Sequence, residues 1–138
     1  MNELTPGLAK RLDAYLDRAN DLADDGDFEA ALAKFKAALA LIPEPQLDYK
    51  ETFGVLVALG DMQFLLDDFA GCRESLAAAV AGFKEAGKEP FVAMRLGQSL
   101  LELGQDAEAR DWLARAHKAG GDKAFECEDP KYLAAIKA

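Results

Sequence analysis

The sequence predicts an all-α domain of three helix-turn-helix units followed by a short closing helix, on three observations. Alanine supplies 27 residues and leucine 20, while isoleucine, valine and threonine together supply 8, so helix formers dominate and strand formers are scarce. A small-large-small residue pattern recurs three times along the chain. Helix-starting and helix-stopping residues punctuate the chain around those recurrences. A length of 138 residues, 51% of them hydrophobic and 30% charged, suits one domain with a modest core.

Taken in order, Thr5-Pro6 supplies an N-cap followed by proline at the first helical position, which opens the first helix. Asp27 is placed to cap a second helix, which Pro43 and Pro45 close because proline has no N–H to continue the ladder. The stretch LDYKET continues a helical pattern into Phe53, so the extra residues between the first and second units, and those between the second and third, are expected to be extended helix rather than loop. Asp68 is placed to cap the fourth helix, and Gly87, Gly104 and the Gly120-Gly121 pair mark the later breaks. Asp129-Pro130 repeats the cap-plus-proline signature and opens a seventh helix, PKYLAAIKA, in which Tyr132, Leu133 and Ile136 form an apolar stripe.

The recurrence itself is specific. Counting from Gly26, Asp67 and Gly104, a small residue stands five further on (Ala31, Cys72, Ala109), a large one four later (Phe35, Leu76, Leu113) and alanine three later still (Ala38, Ala79, Ala116). The last two steps trace one helical face, small where two backbones must approach and bulky where the gap widens. Upstream, Arg18-Ala19, Leu59-Gly60 and Leu96-Gly97 lie at one common distance before each turn, which implies a preceding helix each time.

These residues resemble the tetratricopeptide repeat family, whose 34-residue unit is a helix-turn-helix. Ala19, Phe28, Ala31, Phe35, Ala38 and Pro43 of the first copy all fit its pattern. The third copy departs from it, with Asp106 in place of the aromatic after the turn and no closing proline, and Cys72 replaces an alanine in the second. Units then begin near Leu12, Phe53 and Pro90, spanning about 12–45, 53–86 and 90–123 within a single domain 1–138, with 129–138 as a capping helix. The resemblance implies a right-handed α-solenoid whose exposed end the last helix closes. The tail from Gly120 is also similar to the ending of small, self-standing bacterial proteins of this family.

Composition excludes several functions. Twenty-five acidic against 16 basic residues give a formal net charge of −9, which repels phosphate backbones and anionic lipid, so neither nucleic acid nor membrane is an expected partner. The N-terminus has no apolar leader, and the longest apolar run, Leu76 to Phe83, is too short to span a bilayer, so a cytoplasmic protein is expected. Cys72 and Cys127 stand far apart without ligand-spaced partners, which predicts free thiols and no metal. His117 has no nucleophile arrangement beside it, and no glycine-rich loop is followed by Lys-Ser/Thr, so no catalytic residue and no cofactor are expected. The acidic groups Asp24, Asp25, Asp27 and Glu126, Glu128, Asp129 are read as carboxylates complementing helix dipoles.

The family's first helices line the concave side of the array. Carried over residue by residue, the resemblance places Leu16, Asn20 and Ala23 of the first unit, Val57, Asp61 and Phe64 of the second, and Met94, Arg95, Gln98 and Leu101 of the third in that groove. Only Asn20 and Arg95 echo the carboxylate-holding clamp of some family members, because Leu16 stands where the preceding cation belongs and Ala58 where a second Asn belongs. The expected function is non-catalytic: an adaptor or chaperone holding a segment of another protein, of basic or apolar character, or a second copy of the chain. The alternatives are an immunity protein whose acidic surface masks a basic toxin enzyme and, less favoured, an enzyme with an unrecognised site.

Overall fold

The computed structural model describes residues 1–137. It contains seven α-helices: α1 (Pro6–Asp24), α2 (Phe28–Leu41), α3 (Glu51–Leu65), α4 (Phe69–Gly82), α5 (Pro90–Glu102), α6 (Asp106–Gly120) and α7 (Pro130–Lys137). Among the described residues no strand forms, and one isolated bridge joins Asn2 to Tyr49. The first six helices pack as antiparallel pairs, α1 with α2, α3 with α4 and α5 with α6, and each pair stacks on the next. The first helices of the second and third pairs, α3 and α5, also touch directly, which is how an α-solenoid forms its inner wall.

Local chemistry sets the helix starts. Thr5 accepts a hydrogen bond from the Leu8 N–H at 3.3 Å, Asp27 from Ala30 at 3.3 Å and Asp68 from Gly71 at 3.0 Å, each satisfying an amide that the helix leaves unpaired. Asp129 does the same for the Lys131 N–H at 3.0 Å ahead of α7. The acidic run at the first turn divides: Asp27 caps α2, whereas Asp24 ends α1 and Asp25 is its C-cap, so those two do not complement an N-terminal dipole. α6 starts from Gln105 without a side-chain cap. The residue expected at 138 in the closing helix lies outside the described residues.

The connections between pairs correct the reading of extended helices. α2 ends at Leu41, and residues 42–50 form a loop with a 3-10 turn at Gln46–Asp48 and a cis Glu44–Pro45 bond. Pro43 and Pro45 withdraw two N–H groups, and the Gln46 side-chain amide donates to the Leu39 carbonyl at 2.7 Å and the Ile42 carbonyl at 3.3 Å, supplying donors to a helix end that has lost them. The Thr52 hydroxyl donates back to the Gln46 carbonyl at 2.6 Å and ties the loop to α3. Residues 83–89 likewise leave the helix, carrying a 3-10 turn at Ala86–Lys88, and Phe83 packs edge-on against Phe53 at 5.6 Å.

Close backbone approach accounts for the small residues. Ala19, Ala31, Ala38, Cys72, Ala79, Ala109 and Ala116 are buried, as are Phe35, Leu76 and Leu113, while Phe28 is partly exposed. A methyl on Gly60 would meet the Leu76 side chain at 2.8 Å, and one on Gly97 would meet both the Leu113 side chain at 2.7 Å and its backbone nitrogen at 2.9 Å. α3 and α4, and α5 and α6, therefore cross at points where a side chain on the first helix has no room.

Candidate functional site

The ten positions expected to face inward divide by exposure. On α1, Asn20 is exposed and Leu16 and Ala23 are partly so; on α3, Val57, Asp61 and Phe64 are partly exposed. On α5 the outcome differs. Met94 keeps 5% of its surface and Gln98 none, Leu101 is partly exposed, and the Arg95 side chain keeps 11%.

The tail causes this. Beyond α6, Gly121 adopts φ +67°, a left-handed conformation that glycine takes without steric cost, and the chain returns through a 3-10 turn at Asp122–Phe125. Phe125 and Tyr132 are buried in one cluster with Met94, Leu113 and Ala116, bordered by Phe64, Leu101, Leu133 and Ile136. Tyr132 reaches the Phe64 ring at 6.5 Å, and Lys131 donates to both oxygens of Glu102 at 2.6 and 2.8 Å. Burial among these groups pushes the Tyr132 hydroxyl well above its ordinary range.

Polar groups beneath the tail are mutually satisfied. Arg95 donates to Asp61 at 2.9 Å, to Gln98 at 2.8 Å and to Glu128 at 3.0 Å, and the Gln98 amide also donates to Glu128 at 2.6 Å. The guanidinium lies 4.3 Å from the Phe64 ring centre and 5.1 Å from that of Phe91. A planar, permanently charged group with donors along its edge can bond three acceptors while its faces stack on rings. The sequence reading of Met94, Arg95 and Gln98 as groove positions open to a partner is corrected here: the chain's own tail covers them. Leu101 and Phe64 stay partly exposed at the border of that cover.

What remains open on the inner wall is the part built by α1 and the first turns of α3, where Leu16, Asn20, Ala23 and Val57 stand. Phe91 and Glu128 take part in the inner wall without having been singled out for it. Phe91 offered a signal, an aromatic one turn before Arg95 on the same helix. Glu128 offered none, since it is 33 residues from Arg95 with no shared periodicity.

The other chemical candidates separate. Cys72 is buried, and its thiol is pushed by burial up to about 12, whereas Cys127 is exposed; both are free. His117 bonds Asp122 at 2.6 Å on the surface, and that bond, with a second from Lys137, holds the Asp122 carboxyl below its usual range. Among the described residues no group of three or more His, Cys, Asp and Glu is placed to hold a metal ion, and no helix is long and apolar enough to cross a membrane.

No family model matches the sequence. A curated relative, tetratricopeptide repeat protein 36 of Xenopus tropicalis, is 34% identical over 116 residues, covering 79% of this chain and 54% of the relative. The chain thus spans about half the length of the curated relative it matches. Among solved structures, the Yersinia enterocolitica type III secretion chaperone SycD, in complex with a peptide of the translocator YopD, aligns over 99% of this chain and 95% of its own with a TM-score of 0.68 and 20% identity. The C-terminal TPR-containing domain of a Plasmodium falciparum FK506-binding protein aligns over 94% and 86% with a TM-score of 0.73 and 11% identity.

Proposed function

Since the chain belongs to the tetratricopeptide repeat family, we propose that it is a non-catalytic interaction module, an adaptor or chaperone that holds a segment of another polypeptide against its inner wall. The observation that carries this reading is the uncovered part of that wall. Leu16 and Val57, on neighbouring first helices, remain partly exposed beside the exposed amide of Asn20, while the tail covers the equivalent positions of α5. Apolar groups with a few polar ones among them suit an extended or helical peptide: the side chains give affinity and the amide orients a backbone. Asp61 is bonded to Arg95, so it is a border of this surface and not a free charge. The fold likeness to a chaperone whose solved complex holds a translocator peptide lends support at the level of architecture.

The test is selection of peptides from a displayed random library on the purified chain, followed by measurement of their affinity for Leu16→Asp/Val57→Asp. Loss of about tenfold or more, with helicity retained and with Lys36→Glu on α2 binding normally, supports the inner wall as the binding surface. Peptides that bind both variants as tightly as the parent overturn it.

A further inference from the structure

We propose that the cleft bounded by the α4–α5 connection, the first turn of α5 and the last turns of α6 is a second docking site, one that accepts an acidic polypeptide segment. It is separate from the inner wall and does not rest on that reading. In a chain with 25 carboxylates against 16 cations, four cations line this one cleft of about 500 Å³ and no carboxylate does. Lys84 and Lys88 come from the connection, and Arg115 and Lys118, three residues apart on α6, come from the opposite side, with Gly87 and Ala93 between them.

The charges are available. Among the described residues Lys84, Arg115 and Lys118 form no ion pair, and the Lys88–Glu85 pair at 3.2 Å has both side chains mostly in solvent, where such a pair contributes little and opens readily. Arg115 is held in place by stacking 4.1 Å over the Trp112 ring. Lys118 also offsets the α6 dipole, but that role accounts for one cation and not for the convergence of four.

The arrangement favours a chain bearing several carboxylates over a small anion. Its cations stand on two flanks of a cleft with small apolar residues between them, so they match charges spaced along a segment. The net negative charge elsewhere is no bar, because ions screen interactions beyond about 8 Å at physiological ionic strength while groups inside the cleft interact directly.

Trp112 is the chain's one tryptophan and its ring lies 3.6 Å from where a side chain on Gly87 would begin, so its fluorescence reports on the cleft. Titration with a hexaglutamate peptide at physiological ionic strength should give a saturable change. The affinity should fall about tenfold or more in Lys84→Glu/Lys118→Glu, while Lys10→Glu/Lys36→Glu, which changes the net charge equally elsewhere, and Leu16→Asp/Val57→Asp should stay near the parent. No saturable change, equal loss in the Lys10/Lys36 control, or undiminished binding by the cleft variant would each overturn the proposal. So would inorganic pyrophosphate binding as tightly as the peptide, which would make the cleft a small-anion site.

Discussion

The Gln98 side-chain amide, without any solvent exposure, donates to Glu128 Oε1 at 2.6 Å across 30 residues of sequence. That bond joins the last repeat to the returning tail, and Arg95 shares the same oxygen. Glu128→Ala would leave a buried amide without its acceptor, a cost of about 1–3 kcal/mol. Glu128→Gln, which keeps an oxygen, should cost less. Urea denaturation of the two variants decides; equal stability of Glu128→Ala and the parent would mean the bond contributes nothing.

Glycines in the first helices should behave oppositely according to what lies over them. Gly97→Ala drives a methyl into the Leu113 backbone, where no side chain can swing away, and should destabilise by roughly 1–3 kcal/mol. Gly54, in α3, has nothing within 4 Å of an added methyl, so Gly54→Ala should stabilise by about 0.5–1 kcal/mol. Thermal melts of both proteins test the contrast, which disappears if the pairs can slide apart.

Alkaline stability should reflect Cys72. Its thiol, with an ordinary value of 9.0, is pushed by burial up to about 12 in the folded chain. Above pH 9.0 the unfolded chain loses this proton while the folded chain retains it, so stability is fully present below that value and is lost as pH rises toward about 12. Melting temperatures followed through that window should fall less steeply for Cys72→Ala than for the parent. Iodoacetamide on the native protein should label Cys127, which is exposed, and spare Cys72 until denaturant is added.

Removal of residues 129–138 takes away Tyr132, Leu133 and Ile136 and uncovers Met94 and Phe64. Exposed apolar surface of that kind promotes association. Light scattering should show larger species for the truncated chain at concentrations where the parent has one size. A truncated chain of unchanged mass and unchanged melting would show that the tail does not cover anything the molecule needs covered.

The helices, their caps and the repeat were legible along the chain because each rests on neighbours in sequence. Thr5, Asp27 and Asp68 cap amides three residues away, and the five-four-three spacing places Ala31, Phe35 and Ala38 on one helical face. The tail was legible as a helix closing the end of the array, but not by the residues it meets. Periodicity says that Tyr132 and Ile136 have an apolar side to bury, and it does not say that Phe64, 68 residues earlier, is the ring that Tyr132 meets. Likewise, the resemblance to the repeat family implied an inward side of α5 bearing Met94, Arg95 and Gln98, but only the packed molecule brought Glu128 and Phe125 over them. The loop at 42–50 was decided in the same way, since a helical pattern in LDYKET is a local tendency and the bonds from Gln46 and Thr52 that replace it join α2 to α3. Local spacing thus determined which faces each helix presents, and the return of a distant segment, stabilised by burial and by bonds across 30 or more residues, decided which of those faces stayed open.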